Sequence, residues 1–321
     1  MRLEIPVPAV LAGELIAFWR DLFGDLPDVP PEVLLGDEAH DNDNVLFIRR
    51  RADRLAGTCL LTIPTASAAV GSFGEVATRP EFRGSGIATE LCARAIDEFR
   101  QRGGGVLFLG TGNPDAARIY HRLRWRKLAG ADVMANVTSG DPPEAFLVDY
   151  FRTPADAITV GPGSPADRVP LVPLLLTPHE RHLLDANTGM LSTRYSIQKS
   201  CMGLYPRYQA VAADGRGAWF SARTDDSRVV GLATARLDDQ GHCRVDGFAH
   251  AYHARAWDDL MTAAIAWAAA RGACGCYAEV AGEDEGKAAL LQDLGFRYVG
   301  GGTELKVAGT TMTTQRLEIH T

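Results

Sequence analysis

Arg83-Gly84-Ser85-Gly86-Ile87-Ala88 is the stretch whose reading decides this chain. Two strand-like runs precede it, Leu60-Leu61-Thr62-Ile63 and Phe73 to Thr78. Behind it Ile87, Leu91, Ala95, Ile96 and Phe99 recur at three- and four-residue spacing, which predicts an amphipathic helix to about Arg102. A glycine-rich turn thus stands between a strand and a helix N-terminus. Such a turn can aim unpaired backbone N–H groups at an anion, and the helix dipole adds to the attraction. Gly84 and Gly86 tolerate a left-handed backbone and close approach of a ligand, and Arg83 adds a fixed charge. An ordinary strand-to-helix turn carries the same residue types, so the loop alone does not decide for phosphate.

Downstream lie an apolar strand, Val106-Leu107-Phe108-Leu109, the turn Gly110-Thr111-Gly112-Asn113-Pro114, and a short helix with Ala116, Ala117, Tyr120 and Leu123. Together these segments resemble the GNAT superfamily of acyl-CoA-dependent N-acyltransferases. That family carries an Arg/Gln-x-x-Gly-x-Gly/Ala loop and, further on, Asn-x-x-Ala-x-x-x-Tyr-x-x-x-Gly-Phe. Asn113, Ala116 and Tyr120 fall in register with the second element, whereas Arg124-Trp125 replaces its Gly-Phe.

The resemblance implies an α+β fold, a mixed and mostly antiparallel sheet flanked by helices, with the thioester lying where two neighbouring strands splay. It implies that backbone N–H groups across Arg83, Gly84, Ser85, Gly86, Ile87 and Ala88 hold the diphosphate of acetyl-CoA. Ala77 and Thr78 would pair with the pantetheine arm, Asn113 would sit near it, and Ala116 would let the helix pack close. Tyr120 fits the family's general acid, its alternative role being packing on a helix face. For the base, Glu75 is one candidate, but strand alternation leaves its direction open. Asp149 and deprotonation through water are the others. A backbone N–H near Thr78 would meet the oxyanion. The expected activity is acetyl transfer to a primary amine of a small molecule. Longer acyl transfer, decarboxylation and a non-catalytic acyl-CoA sensor are the rivals.

The 321 residues suggest two domains, 1–152 and 153–321, joined by a linker with three prolines and two glycines between Thr153 and Pro165. At 46% hydrophobic and 23% charged, the chain has the composition of a globular protein. No apolar run reaches membrane-spanning length and no signal peptide is visible, which reads as cytoplasmic. Six scattered cysteines read as reduced thiols, with no metal spacing. A net charge of −7 speaks against nucleic acid and is compatible with a cationic amine; a homodimer is left open. Four acids between Asp37 and Asp43 read as a solvated turn, with an amine site as the alternative. Val45 to Arg50 and Leu60 to Ile63 read as a hairpin, Glu32 to Glu38 as a short helix, Val133 to Val137 and Ala145 to Tyr150 as closing strands, and Pro27, Pro30 and Pro31 as loop punctuation.

The second half reads as a faint repeat. Leu171 to Leu176 and His182 to Met190 look helical, with His179 and His182 as surface histidines. A hairpin across Asp225-Asp226, a strand from Cys243, a helix from Trp257, a strand from Cys276 and a helix ending in Gly295-Phe296 then follow the first-half order. Where the glycine loop would stand there is Ala251-Tyr252-His253-Ala254-Arg255-Ala256, and Leu291 takes the tyrosine position. The second copy is therefore expected to be degenerate.

Overall fold

The computed structural model describes residues 1–24, 29–307 and 310–320; Pro27 of the predicted loop lies outside them. The chain divides into two compact units. The N-terminal unit comprises Met1–Phe146, Arg168–Pro170 and Lys199–Gly203, and the C-terminal unit comprises the rest.

The N-terminal unit runs β1 (Arg2–Glu4), α1 (Ala9–Phe23), α2 (Pro31–Leu35), β2 (Asn42–Arg51), β3 (Arg54–Pro64), β4 (Val70–Thr78), α3 (Ile87–Gln101), β5 (Val106–Gly110), α4 (Pro114–Arg122), β6 (Arg126–Lys127) and β7 (Val133–Val137). Its sheet has the order β1-β2-β3-β4-β5-β7-β6. All neighbours are antiparallel except β4 and β5. The alternation of Val45, Phe47, Cys59, Leu61, Ile63 and Phe73 buries one sheet face under α3, through Leu91, Ala95, Ile96 and Phe99. The opposite residues, Leu46, Ile48, Leu55 and Leu60, pack on Leu15, Phe18 and Trp19 of α1.

The helix α5 (Pro143–Arg152) corrects the strand expected at Ala145 to Tyr150. Leu147, Tyr150 and Phe151 are buried at three- and four-residue spacing, and Pro143 and Glu144 begin the helix where both are favoured. The seventh strand is instead β6. The predicted second helix stops at Leu35 because Gly36, at φ +107°, caps it. The acidic turn behind it is not simply solvated. Glu38 is buried in an ion pair with Arg168, and Asp43 pairs with Arg102 at 2.9 Å.

The C-terminal unit contains β8 (Ile158–Pro162), α6 (Leu171–Leu176), β9 (Leu183–Asp185), β10 (Met190–Leu191), α7 (Leu204–Ala212), β11 (Gly217–Thr224), β12 (Val229–Leu237), β13 (Cys243–Ala249), α8 (Ala256–Ala270), β14 (Cys276–Ala281), α9 (Glu285–Asp293), β15 (Arg297–Gly301), β16 (Leu305–Val307), β17 (Thr310–Met312) and β18 (Thr314–Ile319). Its seven-stranded sheet, β8-β11-β12-β13-β14-β18-β15, repeats the order of the first, with β13 and β14 as the parallel pair. Both units are therefore α+β, each a mixed sheet flanked by helices. The predicted linker in fact supplies the edge strand β8, paired with β11.

Residues 182–190 form the β9–β10 hairpin, not a helix. Asp185 Oδ1 accepts from the backbone N–H groups of Asn187 and Thr188 at 2.8 and 3.1 Å, and Gly189 takes φ +64°, so the local polar side chain makes a turn. His179 is buried, not a surface helix residue, and His182 is half-buried beside Asp284.

This hairpin lies across the end of β13, where the two central strands of the second sheet cease to pair. Pairing of β13 with β14 stops after Arg244↔Tyr277, and the segment from His182 to Asn187 is stitched to what lies beyond. Lys287 Nζ meets Asp246 at 2.5 Å and donates to the carbonyls of Leu183 and Leu184 at 3.1 and 3.3 Å. Asp246 also accepts from Ala186 N–H at 2.8 Å. Asp284, Lys287 and Leu291 repeat the spacing of Asn113, Ala116 and Tyr120, so a lysine and the chain's own hairpin stand where the first copy has Ala116 and a cleft. Continuous pairing of β12 with β13 shows no bulge.

Among the described residues no helix is long and apolar enough to cross a membrane, and no group of three or more His, Cys, Asp or Glu is placed to hold a metal. His179 and His250 lie 6.0 Å apart, centroid to centroid, His250 stacked on Phe151 at 4.1 Å. Burial lowers both imidazoles to about 4. A lowered folded-state value means stability present above the ordinary histidine range and lost as pH falls towards 4. Asp185, raised to about 6 by burial, acts in the opposite sense over the same window. Two histidines against one aspartate leave a net loss. Denaturant titrations of the C-terminal unit between pH 6.5 and 4 should show stability falling by on the order of a few kcal/mol, reduced in His250→Phe.

Candidate functional site

β4 and β5 are held together at only three positions, Val70↔Val106, Gly71↔Leu107 and Ser72↔Phe108. Beyond Ser72 they part. The departure is enforced by a bulge: Thr58 faces Ala77 and Leu60 faces Gly74, so Glu75 and Val76 together oppose Cys59. Glu75 takes φ +50°, a conformation that costs a non-glycine residue about 1–2 kcal/mol. A buried relay holds it there. Trp19 Nε1 donates to Thr58 Oγ1 at 3.0 Å, and Thr58 Oγ1 donates to the Glu75 carbonyl at 2.6 Å. The bulge breaks the strand alternation that left the direction of Glu75 open, and its side chain is buried on the wall of a cleft.

That cleft, about 370 Å³, is lined by Phe73, Glu75, Leu109, Tyr120, Ser200 and Met202 among others. Met202 and Ser200 belong to the N-terminal unit although they lie far downstream in sequence. Ser72 Oγ donates to Met202 Sδ at 2.9 Å. A Cβ on Gly74 would come within 2.8 Å of Met202 Cε, and one on Gly110 within 3.1 Å of Ser200 Cα. Glycines on the splayed ends thus admit this segment. No short-range sequence signal marks it.

A second cleft, about 660 Å³, continues from the first; both are lined by Phe23, Val76, Asn113, Ala116 and Tyr120. It reaches Ala77, Thr78, Arg83, Gly84, Gly86, Ile87 and Ala88. Gly84 and Gly86 have φ +77° and +83°, and no atom lies within 4 Å of where their Cβ would be. The loop therefore needs glycine for its backbone and leaves open space before it. Among the described residues the Arg83 N–H donates to Pro80 at 3.2 Å, and no side chain caps the helix at Gly86. The first N–H groups of α3, from Ile87 to Thr89, have no partner within the helix. Ser85 Oγ donates to the Phe82 carbonyl at 2.6 Å, which ties the turn; Arg83 Nε reaches the Thr78 carbonyl at 3.3 Å. Thr78 Oγ1 is buried with no hydrogen-bond partner. A ready anion cradle and an orphan hydroxyl on one wall fit a diphosphate carrying a polar arm.

Asn113 has a role the sequence reading missed. It is the N-cap of α4, its Oδ1 accepting from the N–H groups of Asp115 and Ala116 at 2.9 and 3.4 Å, with Pro114 at the first helical position. Tyr120 is 5% exposed, and burial pushes its hydroxyl well above the ordinary tyrosine range, with Cys92 and Cys59 adding to the effect. Trp125 packs on Phe73 at 5.2 Å and on Tyr120 at 6.0 Å. Asp149 is exposed on α5 and lines neither cleft.

Residues 14–124 match the model of the Acetyltransferase (GNAT) family. The N-terminal unit carries a GNAT acetyltransferase domain. The family is one of acyltransferases, with acetyl-CoA as co-substrate. No curated protein matches the chain in sequence. Among solved structures, a probable acetyltransferase from Staphylococcus epidermidis is 13% identical, covering 51% of this chain and 99% of its own, at a TM-score of 0.42. A GNAT acetyltransferase from Streptococcus pneumoniae is 16% identical, covering 51% and 100%, at 0.38. A putative streptothricin acetyltransferase from Bacillus anthracis, in complex with acetyl coenzyme A, is 12% identical, covering 36% and 68%, at 0.31. The GNAT assignment rests on the sequence match, not on these likenesses.

The relay gives a test of how the GNAT cleft is held open. Thr58→Val removes both hydrogen bonds of the relay, and should cost about 2–4 kcal/mol of stability in denaturant titrations. A loss below about 0.5 kcal/mol would show that the relay does not hold the bulge.

Proposed function

We propose that the N-terminal unit transfers the acetyl group of acetyl-CoA to a primary amine of a small molecule. One observation carries the reading: a single continuous lining runs from the open glycine turn at Gly84 and Gly86 to Tyr120 and Glu75, at the point where β4 and β5 part. The N–H groups of Gly84 to Ala88, beside the Arg83 side chain, take the diphosphate, and the unpaired edge of β4 at Ala77 and Thr78 takes the pantetheine arm. Asn113 and Ala116 shape the opposite wall.

An alkyl amine is mostly protonated at neutral pH, so it must first lose a proton, which Glu75 accepts directly or through water. The free amine nitrogen then attacks the thioester carbon. A carbon–nitrogen bond forms, the carbon–sulfur bond breaks, the departing thiolate takes the Tyr120 proton, and the second proton of the nitrogen returns to the Tyr120 phenolate, directly or through water, to leave a neutral amide. A backbone N–H beside Thr78 meets the oxyanion. Burial suits Tyr120 for this part, because it keeps the phenol protonated throughout the working range. The C-terminal unit takes no acyl-CoA and serves as scaffold.

Calorimetric titration with coenzyme A should give one site per chain, abolished in Gly86→Glu, whose carboxylate would stand in the cradle. Equal binding by Gly86→Glu, or two sites per chain, would overturn the assignment. In a screen of amines with acetyl-CoA that follows thiol release, Tyr120→Phe should lower kcat by about 10²–10⁴-fold with KM for acetyl-CoA little changed. The wild-type pH profile should show no loss assignable to Tyr120 below pH ~10.

A further inference from the structure

The N-terminal unit has another cleft, about 510 Å³, whose lining shares no residue with the two above. Three arginines line it: Arg100 in the last turn of α3, Arg124 just past α4, and Arg126 on β6. The chain carries a net charge of −7, so this cluster runs against the overall balance. Asp141 also lines the cleft, and it accepts a hydrogen bond from Ser139 Oγ at 2.7 Å. Arg100 approaches Asp97 on its own helix only to 4.0 Å.

Two further observations single the cleft out. α4 ends in a Schellman turn: Trp125 N–H donates to the Tyr120 carbonyl at 3.1 Å and Arg124 N–H to the His121 carbonyl at 3.1 Å. Arg124 therefore takes φ +68°, a conformation that favours glycine, yet an arginine stands there and lines the cleft. Trp125, also on the wall, is 1% exposed, and its indole N–H is buried without an acceptor. Unsatisfied buried donors are rare enough to call for a reason.

We propose that this cleft binds a phosphate-bearing small molecule, its phosphoryl group clamped by Arg100, Arg124 and Arg126. Guanidinium forks match phosphate oxygens in bidentate pairs, and a dianion can engage more than one fork at once. The volume exceeds what a bare phosphate fills, so an ester is the ligand class. The proposal is independent of the acyl-transfer reading. It places the ligand one indole away from Tyr120, since Trp125 packs on that ring.

The test uses Gly86→Glu protein, so that anion binding at the glycine loop does not contribute. Calorimetric titrations with glycerol 3-phosphate, inorganic phosphate and malonate should give affinities in that falling order, each weakening with added salt. Adding Arg124→Gly or Arg126→Ala should weaken glycerol 3-phosphate binding by about tenfold or more. Arg124→Gly should also raise the thermal midpoint, since it relieves the left-handed backbone, so its loss of binding is not a loss of fold. Absence of binding by both phosphate compounds, or unchanged affinity in the Arg124→Gly protein, would overturn the site. Malonate binding as tightly as glycerol 3-phosphate would overturn the ligand class.

Discussion

The structure depends on a parallel pairing that is abandoned after three residues. β4 and β5 are joined from Val70 to Ser72 and then separate, because one extra residue at the Glu75 bulge turns β4 away. A parted sheet exposes backbone groups that would normally be paired, and proteins leave such groups open mainly where a ligand completes them. The groups proposed for acyl transfer in the N-terminal unit gather around this parting. The glycine turn begins α3 just past the end of β4, α4 follows β5, and Tyr120 stands between the two clefts.

The second sheet shows what happens when the same frame is kept and the parting is filled. Its strand order is identical, but β12 and β13 pair without a bulge, and the β9–β10 hairpin is fastened across the end of β13 by Lys287 and Asp246. A buried ion pair with one partner removed is costly, so the fastening is hard to undo in steps. Asp284 makes the contrast plain. Asn113 in the equivalent place caps its own helix, whereas Asp284 turns its carboxylate to the N–H groups of His182 and Leu183.

The legible parts were those that short-range pattern encodes. Helix α3 was visible in its apolar spacing, the β2–β3 hairpin in its apolar runs, and the glycine turn in its composition. Segments with no such signal misled. Ala145 to Tyr150 is apolar enough for a strand, yet its buried residues follow helical spacing. His182 to Met190 carries no alternation that marks a strand pair, because its turn is made by the Asp185 side chain. The direction of Glu75 could not be read, since a bulge changes which face a residue takes and is set by Trp19 and Thr58 from elsewhere. Met202 and Ser200 were invisible for the plainest reason: their contacts with β4 and β5 span most of the chain.

The wedge in the C-terminal unit has a consequence for anyone wishing to revive that copy. Writing a glycine turn into residues 251–256 would rebuild the cradle but leave its approach bricked up, because the obstruction is main chain and not merely side chain. Restoration would have to begin by evicting the hairpin.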